Sequence, residues 1–112
     1  FNQIWQGDAN AYLCRLFPFC SVSGSVINLT VPEILSTRII ANQISSIMGK
    51  APRFINTESE DALLGDATFL FKSMGRPYVS SEKIVQWVAD WVSNDGKTLG
   101  KPTKFESRSG RF

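Results

Sequence analysis

Residues 26–56 read VINLTVPEILSTRIIANQISSIMGKAPRFIN, and this stretch decides the fold class expected of the chain. Val26-Ile27-Asn28-Leu29-Thr30 is rich in β-branched residues and bounded by turn signals, Ser21-Val22-Ser23-Gly24-Ser25 before it and Val31-Pro32-Glu33 after. That pattern predicts a strand. Ser36 then offers an N-cap to a helix over about 37–48, in which Ile39, Ile40, Ile44, Ile47 and Met48 recur at helical spacing. Gly49 supplies a left-handed stop. Pro52-Arg53-Phe54-Ile55-Asn56 reads as a second short strand. Strand, helix and strand together are long enough for a parallel crossover, which would be right-handed.

Working outward, Asp8 is expected to cap a short helix over about 9–17 that Pro18 ends. Beyond the second strand lies an acidic loop, Thr57-Glu58-Ser59-Glu60-Asp61. Asp66 then caps a helix over about 67–74 that Gly75 ends. Ser81 is expected to cap the last helix, with Glu82 favouring its first turn. Its apolar face is Ile84, Val85, Val88, Trp91 and Val92, and Asn94-Asp95-Gly96 closes it. The tail from Lys97 to Phe112 shows no periodicity. The expected fold class is therefore α+β: one domain over 1–112, a small helical lobe carrying a short two-stranded parallel sheet. Two strands make a poor sheet alone, so the reading is of a subdomain.

A chain of 112 residues fits one domain and can bury roughly two-thirds of its unfolded surface. With 43% hydrophobic and 20% charged residues, disorder is not the expectation. The net charge of +2 comes from basic residues scattered along the chain, densest from Lys97 to Arg111, where Glu106 interrupts them. A nucleic-acid footprint would need them clustered on one face, so no nucleic-acid partner is expected. The apolar runs are short and broken by Arg, Asp and Glu, so no membrane span is expected either. No Met opens Phe1-Asn2-Gln3-Ile4-Trp5 and the stretch is not a signal peptide, which predicts a piece of a longer protein. Cys14 and Cys20, set among Leu13, Leu16, Phe17 and Phe19, are expected as two buried thiols. A disulfide between them is conceivable, but a reduced, cytoplasmic setting is expected.

The search for chemistry is short. The chain has no histidine, so neither a Cys nor a Ser nucleophile has its usual base, and the cysteines lack partners for zinc. No phosphate-cradling glycine loop is present. Ser23-Gly24-Ser25 and Ser107-Arg108-Ser109-Gly110 stand alone as a connection and a tail. Glu58, Glu60 and Asp61 lack the remaining ligands and the turn glycine of a calcium loop, so a solvated acidic loop is expected. Trp87 and Trp91 lie one turn apart and are expected in core or interface packing.

The ordered words of the sequence add a resemblance. Ile4-Trp5-Gln6-Gly7-Asp8-Ala9-Asn10-Ala11 looks like a segment of the extended short-chain dehydrogenase/reductases of the NAD-dependent epimerase/dehydratase kind. Residues 27–36 resemble that family's N-x-T-G-P-E-x-L-S, and Leu63-Leu64-Gly65-Asp66-Ala67-Thr68 its L-L-S-D-A-S. Trp87-Val88-Ala89-Asp90-Trp91-Val92 is similar to W-x-A-D-W-V, and residues 99–106 to L-G-K-P-T-H-F-E. The chain departs from the pattern at Val31 for Gly, Gly65 for Ser and Lys104 for His. Val31 falls where a backbone tolerant of positive φ would be expected.

The resemblance implies the carboxyl-terminal substrate-binding lobe of an oxidoreductase or epimerase, inert alone. Its partner would be its own amino-terminal Rossmann domain, which binds NAD or NADP and carries a Tyr-x-x-x-Lys pair. Neither a glycine-rich turn nor that pair occurs here, since Tyr12 is followed at that spacing by Leu16 and Tyr78 by Glu82. No cofactor and no catalytic residue is therefore expected in the chain itself. The substrate would be a small molecule, a sugar or nucleotide-sugar. Two places would face it: Trp5 and Gln6 at the start of the first helix, whose N–H groups suit anions, and the loop Asn56-Thr57-Glu58. Asn56 and its acidic neighbours stand where an Arg would be expected for a diphosphate, which argues against a tight diphosphate site. The plainer roles are packing for Trp5 and N-caps for Asp8 and Asp66. A second reading stays open, that of a stand-alone interaction or ligand-binding module, and an isolated lobe would expose an apolar face that promotes self-association.

Overall fold

Helix ends written in the sequence reappear in the computed structural model, which describes residues 1–101. Four α-helices follow one another: α1 (Gln6–Arg15), α2 (Thr37–Met48), α3 (Thr68–Met74) and α4 (Ser81–Ser93), with a short 3-10 helix (Phe17–Phe19) after α1. Ser36 caps α2 as expected, its Oγ accepting the Ile39 N–H at 3.5 Å, and Gly49 ends it at φ 66°. Asp66, expected as the cap of α3, stands one residue before it: the N-cap is Ala67, and Asp66 Oδ1 accepts the Thr68 N–H at 2.9 Å just ahead of the helix. Hydrogen bonding to Thr68, its side chain first and this backbone N–H second, holds the Asp66 carboxyl below the usual carboxylate range. The cap of α4 is Ser80, one residue before the Ser81 expected, with its Oγ on the Lys83 N–H at 3.2 Å. Helix α1 starts three residues before the predicted 9–17, because Asp8 lies inside its first turn and does not cap it.

The predicted two-stranded parallel sheet is absent: the described residues contain no strand, and the molecule is helical, not α+β. The local period was sound, since Ile27 and Leu29 turn inward while Val26 and Asn28 are exposed. What is missing is a partner. Residues 51–64 are exposed throughout, Pro52 has no N–H to give a ladder, and Asn56 sits at φ 66°, off the strand region. Helix α2 packs on α4, so the two expected strands are not brought together by the helix between them. Side chains, not a ladder, fasten the 26–31 segment. Asn28 Nδ2 donates to the Asp66 carbonyl at 3.0 Å, and Asn2 Nδ2 donates to the carbonyls of Val31 (2.9 Å) and Gly65 (2.8 Å).

Two of the three departures from the family pattern have local explanations, and the third, Lys104, lies outside the described residues. Val31 is not at positive φ and is buried. At Gly65 a Cβ would lie 3.0 Å from Thr30 Cγ2, so a Ser there would require Thr30 to move.

The core is small. Tyr12 of α1 packs with Leu70 and Met74 of α3, and Ile4, Leu16, Ile27 and Leu29 close around them. On α4 the inward stripe is Ser81, Val85 and Ala89, four residues apart. Many large apolar side chains remain outside, Val26, Phe17, Ile55 and Tyr78 among them. Both cysteines are exposed and free, contrary to the expected burial, because the apolar neighbours that suggested it, Leu13 and Phe17, are themselves exposed. Trp87 and Trp91 are likewise exposed rather than core. Residues 97–101 form no regular element. The rest of the expected tail, including the matched residues 102–106 and Ser107 to Gly110, lies outside the described residues.

Candidate functional site

One face of α1 holds the segment that walls the site. Asp8, Tyr12 and Arg15 recur at i, i+4 and i+7, so they share a side of the helix. All three reach the segment between α3 and α4. Asp8 Oδ2 accepts the Val79 N–H at 2.9 Å, Tyr12 Oη donates to the Gly75 carbonyl at 2.9 Å, and Arg15 Nη2 donates to the Met74 carbonyl at 3.1 Å. Two of these bonds satisfy carbonyls at the end of α3 that have no partner within the helix. Asp8 and Tyr12 are both buried, so this clasp is shielded from water.

Burial, and then the nearby Asp8, push the Tyr12 phenol above its ordinary range. A raised folded-state value means the stabilisation is complete below the unfolded tyrosine's value of about 10 and is lost as pH rises through the folded one. Tyr12→Phe is expected to cost about 1 kcal/mol at pH 8, the net worth of the Gly75 hydrogen bond. The gap between the two proteins should narrow as pH rises past the unfolded value. Urea unfolding of both at pH 8 and 11 checks this, and an unchanged gap would contradict the assignment.

The segment that this clasp holds borders a cleft of about 620 Å³, within the size range of small-molecule sites. Val31, Pro32 and Glu33 form one side, Phe71 contributes from α3, and Arg76 to Ser81 form the other. Ser81 Oγ donates to Glu33 Oε2 at 2.6 Å. Ser81 is buried and Glu33 exposed, so the bond orients the carboxyl at the rim and does not present the hydroxyl to a ligand. Tyr78 is 90% exposed and offers a ring face, and Arg76 is exposed beside it. An oriented carboxyl, a guanidinium and an aromatic face can hold a polar small molecule with hydroxyl groups.

The five residues singled out from sequence lie elsewhere, and none lines this cleft. Trp5 precedes α1 and meets Trp87 of α4 edge-on, ring centres 5.5 Å apart, in the packing role. Gln6 is exposed at the first turn. The Asp8 carboxyl occupies that turn, which works against an anion at the helix start. Asn56, Thr57 and Glu58 are exposed, but Glu58 is already engaged, its Oε1 taking Nε and Nη2 of Arg38, each at 2.7 Å. The Arg38 guanidinium also lies 4.2 Å from the Phe54 ring centre. The loop is thus fastened to the first turn of α2, while Trp5 is packed on α4. Sequence reasoning missed Glu33, Arg76 and Tyr78. No local signal in the sequence marked them, since a polar stripe such as 8/12/15 on α1 is ordinary for a helix face turned to water.

Among the described residues no three His, Cys, Asp or Glu side chains are grouped to hold a metal, and no helix is long and apolar enough to cross a membrane. No family model matches the chain, and no match was found among curated proteins or solved structures.

Proposed function

We propose that the chain is a substrate-binding lobe of an NAD(P)-dependent epimerase/dehydratase-type oxidoreductase acting on a sugar or nucleotide-sugar, and that it is inert without a Rossmann partner domain. The observation that carries this reading is convergence. Asn2 ties Val31 to Gly65, and Asn28 ties the matched segment 27–36 to Asp66 of the matched segment 63–68. The matched residues Pro32 and Glu33 also line the cleft described above. Two stretches that resemble one family are therefore fastened to each other, and one of them reaches the cleft. That cleft has groups suited to binding, not to proton transfer or hydride chemistry. The chain's own residues do not fit a nicotinamide cofactor, for lack of a glycine-rich turn and of Tyr-x-x-x-Lys, so NAD or NADP belongs to the partner domain. The reading places the protein in the cytoplasm, where thiols such as the free Cys14 and Cys20 persist.

The test is the coding sequence upstream of Phe1 over roughly 200–250 residues, the size of the domain required. A strand leading into a glycine-rich turn, with Tyr-x-x-x-Lys further on, is the expected result. A start codon near Phe1, or an upstream segment lacking both features, would overturn the reading in favour of a stand-alone binding module.

A further inference from the structure

Helix α4 carries a wider apolar arc than the fold uses. Ser81, Val85 and Ala89 turn inward, yet Ile84, Trp87, Val88 and Trp91 continue the arc around the helix. Their cover within the chain is partial. Trp87 meets Trp5 edge-on and lies under Lys83, and the Trp91 indole N–H donates to the Lys97 carbonyl at 3.1 Å. Even so, Trp87 stays 40% exposed, Val88 46% and Trp91 57%. The spacing of Ile84, Trp87 and Trp91 at i, i+3 and i+7 is that of a helix–helix seam.

The charges beside this seam narrow down what covers it. Lys83 and Asp90 are seven residues apart and so share one edge of α4, next to Trp87 and Trp91. Both are exposed. When two copies of a helix pair antiparallel about a two-fold axis, each edge meets the same edge of the other helix in reverse order. Lys83 of one copy then faces Asp90 of the other, twice over. A parallel pairing would set this edge against the opposite edge of the partner helix, where Val88 lies, and pair no charges. The edge is self-complementary in one arrangement only.

Size decides how strong such contact would be. With aromatic side chains of roughly 150–250 Å² and valines somewhat smaller, Trp87, Val88 and Trp91 leave on the order of 300 Å² uncovered per copy. Two copies bury about twice that, below the roughly 1,200 Å² of stable complexes. We infer that the α4 seam is a weak, antiparallel, two-fold self-association surface, whose occupant is the α4 helix of a second copy and whose register is set by Lys83 and Asp90. This holds whether or not the proposed enzymatic role does.

Sedimentation of the chain from micromolar to millimolar concentration tests it. A reversible monomer–dimer equilibrium is expected. Asp90→Lys and Lys83→Asp should each weaken dimerisation about tenfold, since two exposed pairs change from attraction to repulsion. The double reversal should return the affinity to within about twofold of the original. Far-UV circular dichroism should be unchanged in all three, because both positions are exposed. A chain that stays monomeric, single reversals without effect, or a double variant as weak as the singles would each overturn the inference. The last two outcomes would leave the seam to a different partner, such as the Rossmann domain.

Discussion

Leu70→Ala is expected to remove about 2–5 kcal/mol of stability, the range for truncating a well-packed buried leucine. Among the described residues Leu70 is the one large side chain with no exposure at all, and it belongs to the cluster formed with Tyr12 and Met74. The size of the effect matters because the margin is thin. Natural domains have roughly 0.05–0.15 kcal/mol of stability per residue, and one that leaves Val26, Ile55, Phe17 and Tyr78 outside belongs at the low end. The loss should lower the thermal midpoint by at least about 10 °C, or abolish a cooperative transition altogether. Leu70→Met, which keeps the volume, should cost less than about 1.5 kcal/mol. Ile55→Ala, at a position 71% exposed, should change stability by no more than about 0.5 kcal/mol. Thermal and urea melts of the three variants check the ranking. If Leu70→Ala and Ile55→Ala fell together, the three-residue cluster would not be the core.

The same contrast shows what the sequence could convey. Ser36, Gly49 and Asp66 were legible as helix boundaries because each acts within a turn of itself, through a side-chain oxygen on a nearby N–H or a left-handed φ. Ser80 was misread as Ser81 for the same reason: two adjacent serines compete for one cap, and only the backbone decides. The strands at 26–30 and 52–56 failed because a strand is completed by a partner, and no local pattern says where the partner is. Ile27 and Leu29 found α1 and α3 instead, while Phe54 found Arg38.

The site was hidden for a related reason. Asp8 near a helix start reads as a cap, and that reading is satisfied without asking what else the carboxyl could reach. Tyr12 and Arg15 then look like ordinary members of a mixed helix. Only the fold shows that the three aim at residues 74–79, more than 58 positions away in sequence. Glu33 was quoted as part of a family word, but nothing local paired it with Ser81. Trp5 and Glu58 were singled out through the resemblance, one at the entry to the first helix and the other in the loop before residues 63–66. In the folded chain each already has a partner, Trp87 in one case and Arg38 in the other.

Asp8 supplies the second large effect. Its side chain is 3% exposed, and its Oδ2 accepts the Val79 N–H across 71 residues of sequence. In Asp8→Ala the Val79 N–H loses its acceptor in a part-buried position, which costs about 1–3 kcal/mol, and no group of the same shape replaces it. The consequence should be local before it is global. Residues 76–80 form one side of the cleft and are held to α1 by Asp8 at Val79 and by Tyr12 at Gly75. Without Asp8 the far end of that wall is released while the near end stays tied. Hydrogen exchange should therefore speed up at the Val79 amide by about ten- to a hundredfold, as expected for a bond of that strength, with much smaller changes in α2. Asp8→Asn keeps an acceptor oxygen in the same place and should recover most of the protection. If the Val79 amide exchanged equally fast in the wild type and the Ala variant, the clasp would be a passive contact. The cleft would then owe its shape to Glu33 and Ser81 alone.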